Sequence, residues 1–184
     1  PYHDQKTITF VVPCYNSADY MDHCIESLLI GSADIEIVIV DDGSTKDNTA
    51  AKADQWQAAH PDLIKVIHQE NKGHGGAVMA GLRAASGVYF KVVDSDDWLD
   101  RDALSIMLSR LRHFIASGSP VDLAIANYVY EHTYTGTRKV IRYNGALPKN
   151  RVFTWNETGF FGFGQNILMH SAIYRTQVLR DSGL

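Results

Sequence analysis

Val88-Tyr89-Phe90-Lys91-Val92-Val93-Asp94-Ser95-Asp96-Asp97-Trp98 decides how the chain is read. Up to Val93 the run is β-branched and aromatic, the pattern of a buried strand. It then ends abruptly in three carboxylates within four residues. Asp94, Asp96 and Asp97 at one strand tip repel one another, so the cluster either raises its own proton affinity or takes up a cation. Hard oxygen donors favour Mg²⁺ or Mn²⁺ over zinc. Helix initiation accounts for Asp102 and part of Asp97, because carboxylates suit the positive end of a helix dipole. It does not account for Asp94, which sits at the strand end ahead of the helix. The candidate metal ligands are therefore Asp94, Asp96 and Asp97.

Working back from this stretch, three more apolar runs end in unusual residues. Thr7 to Pro13 reads as a first strand, followed by Asn16 and Ser17 with turn and N-cap chemistry. Met21, Cys24, Ile25, Leu28 and Leu29 recur at helical spacing, with Gly31 as the stop. Ile35 to Val40 is a second strand ending in Asp41-Asp42-Gly43-Ser44; Ser44 or Thr45 then caps a helix to about His60. Leu63 to His68 is a third strand, and the glycine-rich Asn71-Lys72-Gly73-His74-Gly75-Gly76 leads into a helix over Ala77 to Ala85. Strands alternating with helices imply βαβ units and a parallel sheet. Ligands of such sheets bind beyond the carboxyl ends of the strands. Four loops of unusual composition converge on that one edge.

Working forward, a helix carries Leu104, Met107, Leu108 and Leu111, and the pattern changes after Gly118-Ser119-Pro120. Asp122 to His132 is a long β-prone run, Tyr134-Thr135-Gly136-Thr137 a hairpin turn, and Arg138 to Tyr143 the returning strand. Leu147 to Gly164 is loop-rich, and Thr176 to Ser182 forms a short helix stopped by Gly183. The expected organisation is a single domain over 1–184. Its nucleotide-binding part is 7–111, and 112–184 completes the sheet and lines an acceptor cleft.

With 184 residues the chain can bury the full core of one α/β domain. A formal net charge of −4 argues against non-specific nucleic-acid binding, and no apolar run is long enough to span a bilayer. Cys14 and Cys24 show neither metal-ligand spacing nor a disulfide framework; Cys24 lies on an apolar helix stripe, and a reducing cytoplasm is the default. No signal peptide is visible, and a start at Pro1 rather than Met leads to the expectation of a piece of a longer protein.

Val11-Val12-Pro13-Cys14-Tyr15-Asn16, Val38-Ile39-Val40-Asp41-Asp42-Gly43-Ser44 and Val93-Asp94-Ser95-Asp96-Asp97 together resemble the family 2 glycosyltransferases, in order and spacing, over about Thr7 to Leu111. The resemblance implies the GT-A fold, an α/β sandwich with a mostly parallel central sheet and a nucleotide-sugar site. On it, Pro13 and Tyr15 wall the base, and Asp42, with Asp41 beside it, accepts a hydrogen bond from base or ribose. Asp94 and Asp96 match the family's Asp-x-Asp motif, with Ser95 between them, and hold Mn²⁺ or Mg²⁺ on the donor diphosphate. Asp97 supports them or is itself a ligand. A metal clamp stabilises the negative charge that leaves with the diphosphate. The family inverts the anomeric centre by direct displacement, with an Asp or Glu as base on the acceptor hydroxyl. That base is expected beyond Leu184, because the surroundings of Glu157, Trp155-Asn156-Glu157-Thr158, do not match the family motif.

The glycine-rich loop resembles the polyprenyl-phosphate sugar transferases of the family, whereas Asp94-Ser95-Asp96-Asp97-Trp98 is more like its polysaccharide and cell-wall members. The acceptor therefore stays open between a polysaccharide, a cell-wall polymer and a lipid-linked glycan. A UDP-sugar donor, cytoplasmic action at the inner face of the membrane and peripheral membrane association of the whole protein are further expectations. Lys72 and Gly73 are assigned to the donor site as a positive charge and an anion-facing turn, against the equal alternatives of a solvated lysine and a tight turn with close helix packing. His74 and Lys91 are further sources of positive charge, with a plain surface-loop histidine the default for His74. Trp98 is a platform for a sugar or packs at the helix start, and Phe160-Phe161-Gly162-Phe163-Gly164 is a mobile aromatic acceptor loop, a buried turn or an interface. His68 and His170 have no partner spacing and receive no role. Two rival readings stand. A non-catalytic nucleotide- or glycan-binding module is distinguished by a chain that binds donor yet never turns over when extended. A haloacid-dehalogenase-like phosphatase would be phosphorylated on Asp94, although its motif comes after the first strand rather than the fourth.

Overall fold

A computed structural model describes residues 2, 5–30 and 33–183, so Gly31 and Leu184 lie outside the described residues. The chain divides into two compact units, Pro1–Asp122 with Tyr174–Leu184, and Leu123–Ile173.

In the first unit the apolar runs become β1 (Ile8–Cys14), β2 (Ile35–Asp41), β3 (Ile64–His68) and β4 (Tyr89–Val92). They alternate with α1 (Met21–Leu28), α2 (Thr49–Ala59), α3 (Gly73–Ala84) and α4 (Arg101–Ala116). The strands lie in the order β3-β2-β1-β4 and all pair in parallel. Every residue of β1, β2 and β4 is buried. Continuous apolar runs are what a parallel sheet covered on both faces demands. Phe10, Met21, Ile25, Ile37 and Leu108 are fully buried between sheet and helices. α3 approaches β1 so closely that a Cβ on Gly81 would lie 2.3 Å from a Val11 methyl, which leaves room for no other residue there. Glu36 is 3% exposed. Burial alone would raise its pKa; hydrogen bonds from Lys65, Thr9 and Ser86 outweigh that and hold it below the usual carboxylate range.

The second unit carries β5 (Leu123–Ile125), the antiparallel hairpin of β6 (Tyr128–His132) and β7 (Thr137–Ile141), and a 3₁₀ turn at Trp155–Glu157. The hairpin turn forms as read: Thr135 and Gly136 N–H groups both donate to the His132 carbonyl, and Gly136 has φ 65°. The expected long strand from Asp122 to His132 instead breaks in two, because the Ala126 N–H turns away to the Ser171 carbonyl. Tyr128, Ile141, Tyr143, Ala146 and Leu147 form this unit's own core.

A strand that the sequence pattern did not show, β8 (Ala172–Arg175), comes next, and then α5 (Thr176–Asp181). Tyr174 and Arg175 pair antiparallel with Phe90 and Tyr89, so the mostly parallel sheet of the first unit gains an antiparallel neighbour to β4. Two helix starts also differ from expectation. α2 begins at Thr49, not after Ser44 or Thr45, because the Asp47 carboxylate takes the Thr49 N–H at 3.0 Å. α3 begins at Gly73, not Ala77, so the glycines form its first turn rather than a loop before it.

Candidate donor-binding site

The site is built from the loops at the carboxyl ends of the parallel strands. In β1, Pro13 stands in register with Val40, just past the last residues paired with β4, Val11 and Val92. The Val93 N–H donates to the Val11 carbonyl at 2.9 Å; the next bond of the ladder would need an N–H from residue 13, which proline lacks. The β1–β4 ladder therefore ends there, and the chain after Val93 is released toward its acidic tip. Tyr15 is 49% exposed. Asn16, at φ 50°, does not cap α1 as expected. Its Oδ1 instead accepts from the N–H groups of Thr45 (3.1 Å) and Lys46 (3.0 Å), and its own N–H donates to Ser44 Oγ at 2.9 Å. This side chain locks the loop after β1 to the loop after β2. α1 starts later, where the Ser17 carbonyl accepts from the Tyr20 and Met21 N–H groups, both at 3.0 Å.

At the β2 tip Asp41 is 4% and Asp42 3% exposed. Asp41 accepts from the Ser44 N–H through Oδ1 (3.1 Å) and from His68 Nδ1 through Oδ2 (3.0 Å). The other nitrogen of His68 lies 2.9 Å from Asp54 Oδ1, so two carboxylates raise its pKa. No sequence motif marks this role of His68, since it rests on the pairing of Asp41 with His68 across β2 and β3. Asp42 Oδ1 accepts from Gln69 Nε2 (2.7 Å) and the Lys72 N–H (2.9 Å). Gly43, at φ +72°, allows this approach: a Cβ there would lie 2.8 Å from the Asn71 nitrogen. The Lys72 side chain is exposed, and the Gly73 N–H is already given to Asn71 Oδ1 at 3.2 Å. The remaining first-turn amides of α3, from His74 onward, have no carbonyl within the helix to bond.

At the β4 tip the Asp97 N–H closes a turn onto the Asp94 carbonyl at 2.9 Å. This brings a carboxylate oxygen of Asp94 and one of Asp97 within 4.8 Å of each other, while Asp96 is exposed. Hard carboxylate oxygens are the donors that Mg²⁺ and Mn²⁺ prefer, so the chemistry of this pair suits either ion. Asp94 Oδ1 also lies 2.7 Å from His74 Nε2, which joins the acidic tip to the start of α3. Ser95 Oγ donates to Ser17 Oγ at 2.8 Å, joining it to the β1 loop. Behind it, Cys24 Sγ donates to the Asp94 carbonyl at 3.5 Å. Both cysteines are buried, and burial raises both pKa values, Cys14 to about 12 with help from Asp41 and Asp47. Neither is a ready thiolate.

Pro13, Tyr15, Asp41, Asp42, Lys72, Gly73, Asp94, Ser95, Asp96 and Asp97 thus all lie at or just past the carboxyl ends of parallel strands, and side chains link these loops to one another. Lys91 differs from its expectation: it is 5% exposed within β4, and burial pushes its pKa down to about 8 against the pull of Asp97. Trp98 is 39% exposed, with its ring 4.8 Å from His23. In the second unit Glu157 caps its own 3₁₀ turn through the Thr154 N–H (2.9 Å) and pairs with Arg151 (2.7 Å). Those contacts, the Thr154 bond foremost, lower its pKa and make it a weaker base.

The family model for glycosyl transferase family 2 matches residues 9–177. EpsH of Bacillus subtilis (strain 168), whose own glycosyltransferase label is provisional, is 38% identical over 134 residues, 72% of this chain and 37% of EpsH. Glycosyltransferase GlyG of Streptococcus pneumoniae serotype 4 is 36% identical over 127 residues, 67% of this chain and 39% of GlyG. The chain therefore spans well under half the length of these relatives. Among solved structures, S. aureus TarS 1-349 shares the fold with a TM-score of 0.62 at 22% identity, over 96% of this chain and 49% of that one. The mannosyltransferase PcManGT of Pyrobaculum calidifontis, solved with GDP-Man and Mn²⁺, aligns with a TM-score of 0.54 at 25% identity, over 68% of this chain and 37% of that one. Its strand order, its linked strand-end loops and a family match over nearly its whole length agree: this chain belongs to glycosyl transferase family 2 and has the GT-A fold.

Proposed function

We propose that the chain is the donor-binding part of an inverting, metal-dependent glycosyltransferase that takes a sugar from a UDP-sugar to a polysaccharide, cell-wall or lipid-linked acceptor. The observation that carries this reading is the linking of four strand-end loops by Asn16–Ser44, Asp42–Lys72, Ser95–Ser17 and His74–Asp94. A preorganised edge of this kind can bind base, ribose and diphosphate at once. Pro13 and Tyr15 wall the base. Asp42, held by Gln69 and the Lys72 N–H through one oxygen, presents the other to base or ribose; Asp41 braces it. Asp94 and Asp97, with Asp96, hold Mn²⁺ or Mg²⁺, which supplies positive charge to the departing diphosphate. Lys72 and the first-turn amides of α3 add donors for the phosphates. PcManGT, solved with a nucleotide sugar and Mn²⁺, supports the class of donor and metal. Work at the cytoplasmic face of the membrane belongs to the same reading.

The test is calorimetric titration of the chain with UDP, with and without Mn²⁺, on wild type and Asp96→Ala. The reading predicts metal-dependent binding that the substitution abolishes. Binding of GDP but not UDP would keep the site and change the donor. No nucleotide binding by a folded sample would overturn it.

A further inference from the structure

The second unit shows a feature that donor binding does not use. Phe160 is 100% and Phe163 107% exposed, whereas Phe161 between them is 41% exposed and packs edge-on against Tyr143, ring centroids 6.5 Å apart. Exposed phenylalanines at this level are unusual on a protein that faces only water. The loop that carries them is braced. Gln165 accepts the Gly162 N–H through Oε1 at 2.6 Å and donates from Nε2 to the Arg142 carbonyl at 2.7 Å. The Gly159 N–H is fixed to the Ala146 carbonyl at 2.8 Å. Two aromatic rings are thus held outward by a hydrogen-bonded frame rather than left over from a failed core.

Charge is distributed to match. Within Leu123–Ile173 stand five basic side chains, Arg138, Lys139, Arg142, Lys149 and Arg151, against Glu131 and Glu157 alone. The unit is net positive in a chain whose formal net charge is −4. All five basic residues are exposed; Arg138 and Arg151 pair with Glu131 and Glu157, which leaves Lys139, Arg142 and Lys149 as the excess, and the Arg142 carbonyl is part of the loop's own frame. Outward apolar rings on a loop of a net-positive unit fit the boundary of an anionic bilayer. Rings enter the acyl region, and lysines and arginines meet the headgroups. No helix among the described residues is long and apolar enough to cross a membrane, so this contact would be peripheral.

We infer that the Phe160–Phe163 loop docks this chain on a membrane surface rich in anionic phospholipid. The inference deepens the membrane-face part of the proposed function; its observations come from the second unit alone, so its failure would leave the donor reading intact. Co-sedimentation of the chain with phosphatidylcholine vesicles, with and without phosphatidylglycerol, tests it. Wild type should bind the anionic vesicles, not the neutral ones, and release them as salt rises. Each Phe→Ser change at 160 and 163 should lower partitioning about tenfold, the loss expected for one phenylalanine kept out of an apolar phase. Both side chains are exposed, so the double variant F160S/F163S should keep the wild-type melting temperature and UDP titration. Failure of wild type to bind anionic vesicles, equal binding to neutral ones, or unchanged binding by the double variant would each overturn the inference. So would a dimer that the double variant dissolves without any vesicle binding, because the loop would then be a contact between copies of this chain.

Discussion

The tips of β2 and β4 carry similar acidic sequences, Asp41-Asp42 and Asp94-Ser95-Asp96-Asp97, yet use them in opposite ways. At β2 both carboxylates are almost fully buried, and protein donors from Ser44, His68, Gln69 and Lys72 occupy them. Buried charge survives because it is hydrogen-bonded on the spot. At β4 the carboxylates are more accessible, Asp94 at 25% side-chain exposure, and the turn through Asp97 gathers two of them. Gathering like charges is unfavourable unless a cation shares them. One acidic tip is thus finished by the protein's own donors, and the other is the tip to which the proposed function assigns a metal.

The largest expected break of this contrast is Asp94→Asn, which should weaken Mn²⁺-dependent UDP binding by about two orders of magnitude. Stability should scarcely change, as urea unfolding without metal would show. Asp42→Ala should do the reverse in kind. It strips an acceptor from the Lys72 N–H and the Gln69 amide and should cost about 1–3 kcal/mol in urea unfolding, while whatever nucleotide binding remains stays metal-dependent. Gly43→Ala should cost about 1–2 kcal/mol through its left-handed φ and the close Asn71 nitrogen, measured the same way.

The smallest effect is a pH dependence. Hydrogen bonds to Asp41 and Asp54 raise the pKa of His68 above its ordinary 6.5, against the opposing pull of burial. The stabilisation is therefore complete below 6.5 and is lost as pH climbs through the raised value. His68→Asn should lower the melting temperature slightly in mild acid and hardly at all in alkali. The effect is small because the His68 side chain is 45% exposed. A gap that widened with pH would contradict the assignment.

The strands of the first unit were legible because burial on both faces writes itself as unbroken apolar runs, and because turn residues mark where each run stops. The convergence of loops is a consequence of βαβ topology alone. What escaped the sequence depends on pairing at a distance. Asn16 reads as a helix cap because that is its commonest local use, yet its partners lie on the β2 loop, 28 to 30 residues along the chain. His68 and His74 carry no spacing signal; strand register places one at Asp41, and the early start of α3 places the other at Asp94. Lys91 read as a site cation because its charge stood near an acidic run, but β4 is buried on both faces, and Lys91 lies inside the fold. β8 is four residues long, too short for period-two alternation to stand out beside α5.

The most direct test of the two-tip account is Mn²⁺ binding in the presence of UDP, monitored by electron paramagnetic resonance of free Mn²⁺, on wild type, Asp94→Asn and Asp42→Asn. The account predicts that wild type and Asp42→Asn withdraw Mn²⁺ from solution once UDP is saturating and that Asp94→Asn does not. Retention of Mn²⁺ by Asp94→Asn, with its loss in a folded Asp42→Asn, would place the metal at the wrong tip and contradict the account.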